Sequence, residues 1–184
     1  MKPIKTIIAI VLTFNLVCCQ SQKIVADKSK VEKRESKYVE GKMVNGTYFL
    51  INANQGLAMQ PYQKLYGSIN NVVLEKLDNS IMQKWVFKEN IDGKTKKPNG
   101  TLSIYLFVDE SQAITCKWGN PLLAKTKEYP KDSFVMEYNE NEKAYNLKST
   151  AAKGFYMTIK NGSFAKYMAN DGSNVFLWKL LKTN

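Results

Sequence analysis

The chain has 184 residues, 44% of them hydrophobic and 11% aromatic, which suits one folded domain with a tail better than two domains or a disordered polymer. It contains no histidine, and that excludes Ser-His-Asp and Cys-His catalysis, imidazole metal ligands and histidine pH switches. Of the three cysteines, Cys18, Cys19 and Cys116, only the last falls in the part that can fold, so neither a disulfide framework nor a thiolate zinc site is open to it.

Residues 1–18 read as a secretory signal. Lys2 and Lys5 make the positive start, and Ile7 to Val17 is an apolar run broken only by Thr13 and Asn15, too short to span a bilayer as a mature helix. Its end, Leu16-Val17-Cys18-Cys19, resembles the lipobox of bacterial lipoproteins, with Leu16 three residues before the modified cysteine. That count makes Cys19 the acceptor for fatty acyl groups such as palmitate; Cys18 would put Asn15 in the leucine place and fits worse. An ordinary signal peptide with incidental cysteines is the plainer alternative. A multiply acylated cysteine anchors stably, because two chains suffice where one does not.

Residues 19–43 read as a charged flexible tether. Between Gln20 and Val44, Lys and Arg outnumber Asp and Glu seven to four, and the segment has no apolar stripe to bury. The net charge is +11 overall and falls to about +9 without the leader, which is still strongly basic. Nucleic-acid readers use arginine forks, and Arg34, in the tether, is the only arginine. Nucleic acid is therefore not an expected partner, and a solvated basic surface facing the periplasm or the cell surface is.

From Val44 to Asn184, short apolar or alternating runs are separated by turn residues every 8 to 12 positions, as in all-β domains. The punctuation includes Asn54-Gln55-Gly56, Asp78-Asn79-Ser80, Asp92-Gly93, Gly119-Asn120-Pro121 and Asp171-Gly172. Internal repetition sharpens the fold. Thr47-Tyr48-Phe49-Leu50-Ile51 with Gly56-Leu57-Ala58-Met59 lies over Ala144-Tyr145-Asn146-Leu147-Lys148 with Gly154-Phe155-Tyr156-Met157, and a middle copy begins near Ile104-Tyr105-Leu106-Phe107. Gln83-Lys84-Trp85 lies over Asp132-Ser133-Phe134 and Ser173-Asn174-Val175, with Leu74, Leu123 and Phe164 nine residues earlier. Three copies of about 47 residues, each with four strands and too small to enclose a core, predict an all-β β-trefoil over 44–184. A sandwich or open barrel would give similar punctuation without threefold repetition.

The first copy, from Asn45-Gly46-Thr47-Tyr48-Phe49-Leu50-Ile51-Asn52 to Gln83-Lys84-Trp85, resembles a ricin-type β-trefoil lectin repeat. The resemblance implies that Trp85 packs into the core and that Gln83 bonds backbone groups of its own repeat, so the motif is structural. It also implies a sugar site built on an Asp, an aromatic platform and an Asn. Those places hold Gln60, Glu75 and Met82, and the platform places of the other copies hold Ala124 and Ala165. The family's galactose site is thus not visible. Gln60, Tyr62, Tyr66, Asn70 and Asn71 form the candidate ligand-binding set, two stacking rings with nearby amides; Trp118 is a further exposed platform, and Trp178 is expected in the core.

No catalytic residues, cofactor or metal site are expected. Asp109 and Glu110 are adjacent on a strand and point to opposite faces, and Glu137, Glu140 and Glu142 span a strand end and a turn where charges are solvated. Cys116 has no histidine beside it and reads as a small buried hydrophobe. The expected protein is a membrane-anchored, non-catalytic lipoprotein of the cell envelope that binds glycan. The alternative is a protein-interaction or structural module of an envelope complex.

Overall fold

The computed structural model describes residues 38–42, 45–62, 69–159 and 164–183. The signal segment, Cys19, the tether up to residue 37 and Tyr66 lie outside the described residues. The first repeat contributes β1 (Gly46–Asn52), β2 (Ala58–Pro61), β3 (Ile69–Glu75) and β4 (Lys84–Ile91). The second contributes β5 (Pro98–Leu106), β6 (Asp109–Lys117), β7 (Asn120–Lys125) and β8 (Phe134–Asn139). The third contributes β9 (Ala144–Ser149), β10 (Tyr156–Thr158), β11 (Lys166–Met168) and β12 (Leu177–Lys182).

The pairing closes on itself. β1 pairs with β4, β4 with β5, β5 with β8, β8 with β9, β9 with β12, and β12 returns to β1, all antiparallel. This is a six-stranded barrel without edges, the arrangement that leaves no strand open to aggregation. The hairpins β2–β3, β6–β7 and β10–β11 form the cap. The β3–β7 pairing and a bridge between Val73 and Phe164 tie them together. Three repeats of four strands, six in the barrel and six in the cap, are a β-trefoil, as the sequence predicts.

Threefold packing follows from the cross-strand partners. Tyr48 faces Trp85, Leu102 faces Phe134 and Tyr145 faces Trp178. Leu50, Ile104 and Leu147, two positions further along β1, β5 and β9, are fully buried together. The two indoles, which would cost free energy if buried with an unpaired N–H, each find a carbonyl. Trp85 Nε1 donates to the Met59 oxygen at 2.8 Å, and Trp178 Nε1 to that of Met157 at 2.9 Å. The turn after β1 needs a left-handed residue, and Gly56 (φ 67°) and Gly154 (φ 81°) supply it at matching places. Their N–H groups donate to Asn52 and Ser149.

Two expected registers move. In the third repeat Trp178, not Val175, takes the place of Trp85, because both follow a 3-10 turn, Ile81–Gln83 in one case and Asn174–Phe176 in the other. Phe176 stands where the glutamine would, so no Gln-x-Trp pattern marks the position. The residue matching Leu74 and Leu123 is then Tyr167, which is buried, and Phe164 is released to the surface at 42% exposure. In the second repeat the first strand starts at Pro98, ahead of the expected Ile104, and a tight turn at Phe107-Val108 joins it to β6.

Asp132 takes the place of Gln83 in the second repeat and is buried. Its carboxylate accepts from Ser133 N (2.7 Å), Ala151 N (3.2 Å), Ser149 Oγ (2.6 Å) and the Tyr167 hydroxyl. Its own N–H donates to Ile114 O. A buried carboxylate is tolerable only with this density of donors. Burial and then the Asp132 charge hold the Tyr167 phenol well above its ordinary range.

Among the described residues, packing onto the domain is already present at Tyr38, ahead of the boundary expected at residue 44. Tyr38 bridges to Leu181, Val39 N donates to Leu180 O at 2.8 Å, and the Tyr145 hydroxyl donates to Gly41 O at 2.9 Å. Glu40 pairs with Lys143 at 3.3 Å. The segment satisfies the buried Tyr145 hydroxyl and part of the β12 edge, functions that its charged composition does not reveal.

Candidate functional site

A groove of about 590 Å³ opens on the first repeat and is lined by Gln60 and Tyr62 from the β2 side, Val73 and Glu75 from β3, and Lys76, Asp78 and Ser80 from the loop that follows. Its floor is held by the Gln83 motif. Gln83 Nε2 donates to Lys76 O at 2.8 Å and to Gln60 Oε1 at 3.1 Å, while its Oε1 accepts from Asp78 N at 3.1 Å. Gln83 therefore bonds backbone groups of its own repeat, the role the resemblance implies. Gln60 uses only its oxygen in this network. Asp78 Oδ1 accepts from Ser80 N at 2.8 Å, and Ser80 Oγ from Met82 N at 3.2 Å, a local turn that fixes both side chains beside the groove.

The aromatic wall comes from two repeats. Tyr62 N donates to Asn71 O at 2.8 Å, which holds the tyrosine against β3. The Phe164 ring stands edge-on to that of Tyr62, with centroids 5.4 Å apart and planes at 67°. Phe164 bridges to Val73, a lining residue, and so adjoins the groove although it is distant in sequence.

Of the sequence candidates, Gln60 and Tyr62 thus come together. Asn70 and Asn71 do not join them in the lining. Successive strand residues face opposite sides, so Asn70 is buried opposite Leu123 while Asn71 is exposed. Met82 packs against the core. Asp78, Ser80 and Phe164 were missed. Asp78 and Ser80 are legible in the sequence only as turn punctuation, and Phe164 stands there at the place matching Leu74 and Leu123.

Trp118 is the other exposed aromatic. It forms, with Gly119, the two-residue turn of the β6–β7 hairpin, since Lys117 pairs with Asn120. Both turn residues have positive φ, 51° and 73°, as a hairpin turn of this length requires. Asparagine normally fills the first place. A tryptophan there costs on the order of 1 kcal/mol of backbone strain, and at 79% exposure its ring does not repay it by burial. Lys117 Nζ lies 4.4 Å from the Trp118 ring centre and 4.2 Å from that of Tyr129, and donates to the Tyr129 hydroxyl at 3.1 Å. Trp178, by contrast, is fully buried.

Asp109, Glu110 and Glu137, from the carboxylate groupings, have local partners. Asp109 accepts from Ser111 N and Gln112 Nε2, and these bonds lower its pKa, with the Ser111 and Gln112 side chains the main cause. Glu110 pairs with Lys88, and Glu137 accepts from the Tyr156 hydroxyl at 3.0 Å and pairs with Lys148 at 3.6 Å. Among the described residues no group of three His, Cys, Asp or Glu side chains is placed to hold a metal ion. Burial, then the Asp132 charge, raises the Cys116 thiol, the opposite of activation for nucleophilic attack. A cleft of about 230 Å³ on the third repeat is lined by Asn139, Asn146, Asn170, Asn174 and Glu142, among others, with no aromatic ring.

No family model and no curated protein matches the sequence. Solved structures do match in shape. A designed threefold-symmetric protein, ThreeFoil, superposes with a TM-score of 0.59 at 14% identity over 75% of this chain and 99% of its own. The Rhizoctonia solani agglutinin gives 0.61 at 14% identity over 79% and 100%. A Polyporus squamosus lectin, bound to a human-type influenza-binding epitope, gives 0.60 at 10% identity over 77% and 50%. Identities this low speak for architecture alone, and with the closed barrel and its three hairpins they make the chain a β-trefoil.

Proposed function

We propose that the chain is a non-catalytic glycan-binding module, held at a membrane of the bacterial cell envelope by lipid on Cys19. The observation that carries the glycan reading is the meeting in one groove of Tyr62 with Gln60, Asp78 and Ser80, with the Phe164 ring packed edge to face on Tyr62 beside it. Ring surfaces accept the C–H faces of a sugar, and an amide, a carboxylate and a hydroxyl accept and donate to its hydroxyls. The lectin and the agglutinin among the structural neighbours support the reading, as does the engagement of Asp109, Glu110 and Glu137 with local partners.

The groove selects neutral glycans. Glu75 and Asp78 line it against a single Lys76, so the basic charge of the whole chain is reversed at this place. A glycan array probed with the processed chain tests the function. Neutral oligosaccharides should bind, and Tyr62→Ala and Phe164→Ala should each abolish binding with the melting temperature retained. A blank array, or binding indifferent to both rings, would overturn it in favour of a protein-interaction module. Anchoring is tested separately by intact mass: Cys18→Ala should retain acylation and Cys19→Ala should lose it, and acylation on Cys18 or none at all would refute the assignment.

A further inference from the structure

The Trp118 tip lies outside the groove, and its ring, 79% exposed, meets the Lys117 ammonium and buries little else. The chain has three tryptophans, and the other two are fully buried and hydrogen-bonded, whereas Trp118 occupies a strained turn position with its ring in solvent. Strain retained for one solvent-exposed cation–π contact is consistent with a side chain whose main partner is external.

Lys117 narrows the chemistry of that partner. Its ammonium is held between two rings and, among the described residues, has no carboxylate within ion-pair distance. Lys88, Lys143 and Lys148 are each paired with a glutamate. The Lys117 charge is thus partly shielded from water and still lacks an anion, so an incoming phosphate would complete it.

We infer that the β6–β7 tip is a contact for an anionic phospholipid surface, with the Trp118 indole at the headgroup level and Lys117 on the lipid phosphates. A saccharide pocket needs several convergent polar groups, and the turn offers one ring and one cation. A bilayer interface asks for that combination: an amphipathic ring that sits between water and acyl chains, and a basic side chain beside it. One such contact is weak in free solution. On a chain already held at a membrane it acts at high effective concentration and orients the domain. Only the strength of the contact, and not its location, depends on the lipid anchor proposed above.

Trp118 is the only exposed indole, so its fluorescence reports on the tip directly. The processed chain, purified as the cell makes it, is mixed with phosphatidylglycerol or phosphatidylcholine vesicles and titrated with acrylamide. On phosphatidylglycerol the accessible emission component should shift to the blue and lose its quenching, and Trp118→Ser should remove that component while the fold is retained. Lys117→Gln should weaken partitioning onto phosphatidylglycerol about fivefold and leave phosphatidylcholine nearly unaffected. Quenching of Trp118 that is unchanged by phosphatidylglycerol vesicles would overturn the inference, as would protection of Trp118 by an acidic oligosaccharide without lipid. Failure of the groove to bind glycan, or of Cys19 to carry acyl groups, leaves this readout intact and is recognised by the array and the mass.

Discussion

The Phe164 and Tyr62 rings meet edge to face with their centroids 5.4 Å apart, so a residue of the third repeat packs beside the aromatic side of a groove lined by the first. The sugar site proposed here would therefore differ from the family pattern, in which the stacking ring comes from the same repeat as the polar groups. Here Glu75 occupies the platform place, and an approaching sugar would have to desolvate its carboxylate. Galactose and lactose should therefore bind with a dissociation constant weaker than about 1 mM, or roughly −4 kcal/mol. Titration calorimetry that finds submillimolar galactose binding surviving Tyr62→Ala and Phe164→Ala would contradict this.

Trp85 and Trp178 are equivalent by packing and by their bonds to Met59 and Met157. Replacing either by alanine should cost about 3 to 5 kcal/mol through the cavity left behind. The two losses should be alike, measured by urea denaturation, if the register assigned to the third repeat is right. A Val175→Ala variant, at the place the sequence alone suggests, should cost far less.

Asp132 joins Ser133, Ser149, Ala151 and Tyr167 through one carboxylate. Asp132→Ala would strand several buried donors and should destabilise by about 3 kcal/mol or more. Asp132→Asn keeps the size but turns an acceptor into a donor facing donors, so it should also destabilise, and Tyr167→Phe in the same chain should recover part of the loss. A double-mutant cycle in chemical denaturation gives the coupling.

Burial pushes the Tyr145 phenol up to about 12, and raises Tyr48 and Tyr167 as well. In the unfolded chain these phenols ionise near pH 10. Between pH 10 and about 12 the unfolded state therefore holds fewer protons than the folded one, and stability falls as pH rises. Denaturation midpoints should be insensitive to these groups below pH 9 or so and drop steeply above pH 10 or so. Tyr145→Phe should flatten part of that drop; an unchanged alkaline slope would refute the assignment.

Trp118→Asn should stabilise the domain by about 1 kcal/mol, because asparagine tolerates the left-handed turn that tryptophan resists. For a domain of this size that corresponds to a rise of a few degrees in Tm, read by calorimetry. Loss of stability on this change would mean that the indole packs against the fold after all.

The sequence by itself determined the all-β class and the threefold count. Turn residues at short intervals and the matched runs at Tyr48 and Tyr145 come from local pattern, which each repeat must carry for itself. It also brought out Gln83 and Trp85, because that motif is made within one repeat. Tertiary structure decided whatever depends on contacts between repeats. Phe164 lies over Leu74 and Leu123 in sequence until Trp178 is seen bonding to Met157, and it comes beside the groove only through the bridge to Val73. Tyr38 and Val39 look like tether until β12 and Tyr145 offer them partners. Asp132, which the sequence aligns only with Gln83, is buried because Ser149 and Tyr167 arrive from the next repeat. The physical reason is common to all three. A barrel closed by three copies of one motif places side chains far apart in sequence against one another, and a charge or an aromatic ring takes its role from the neighbours that closure brings.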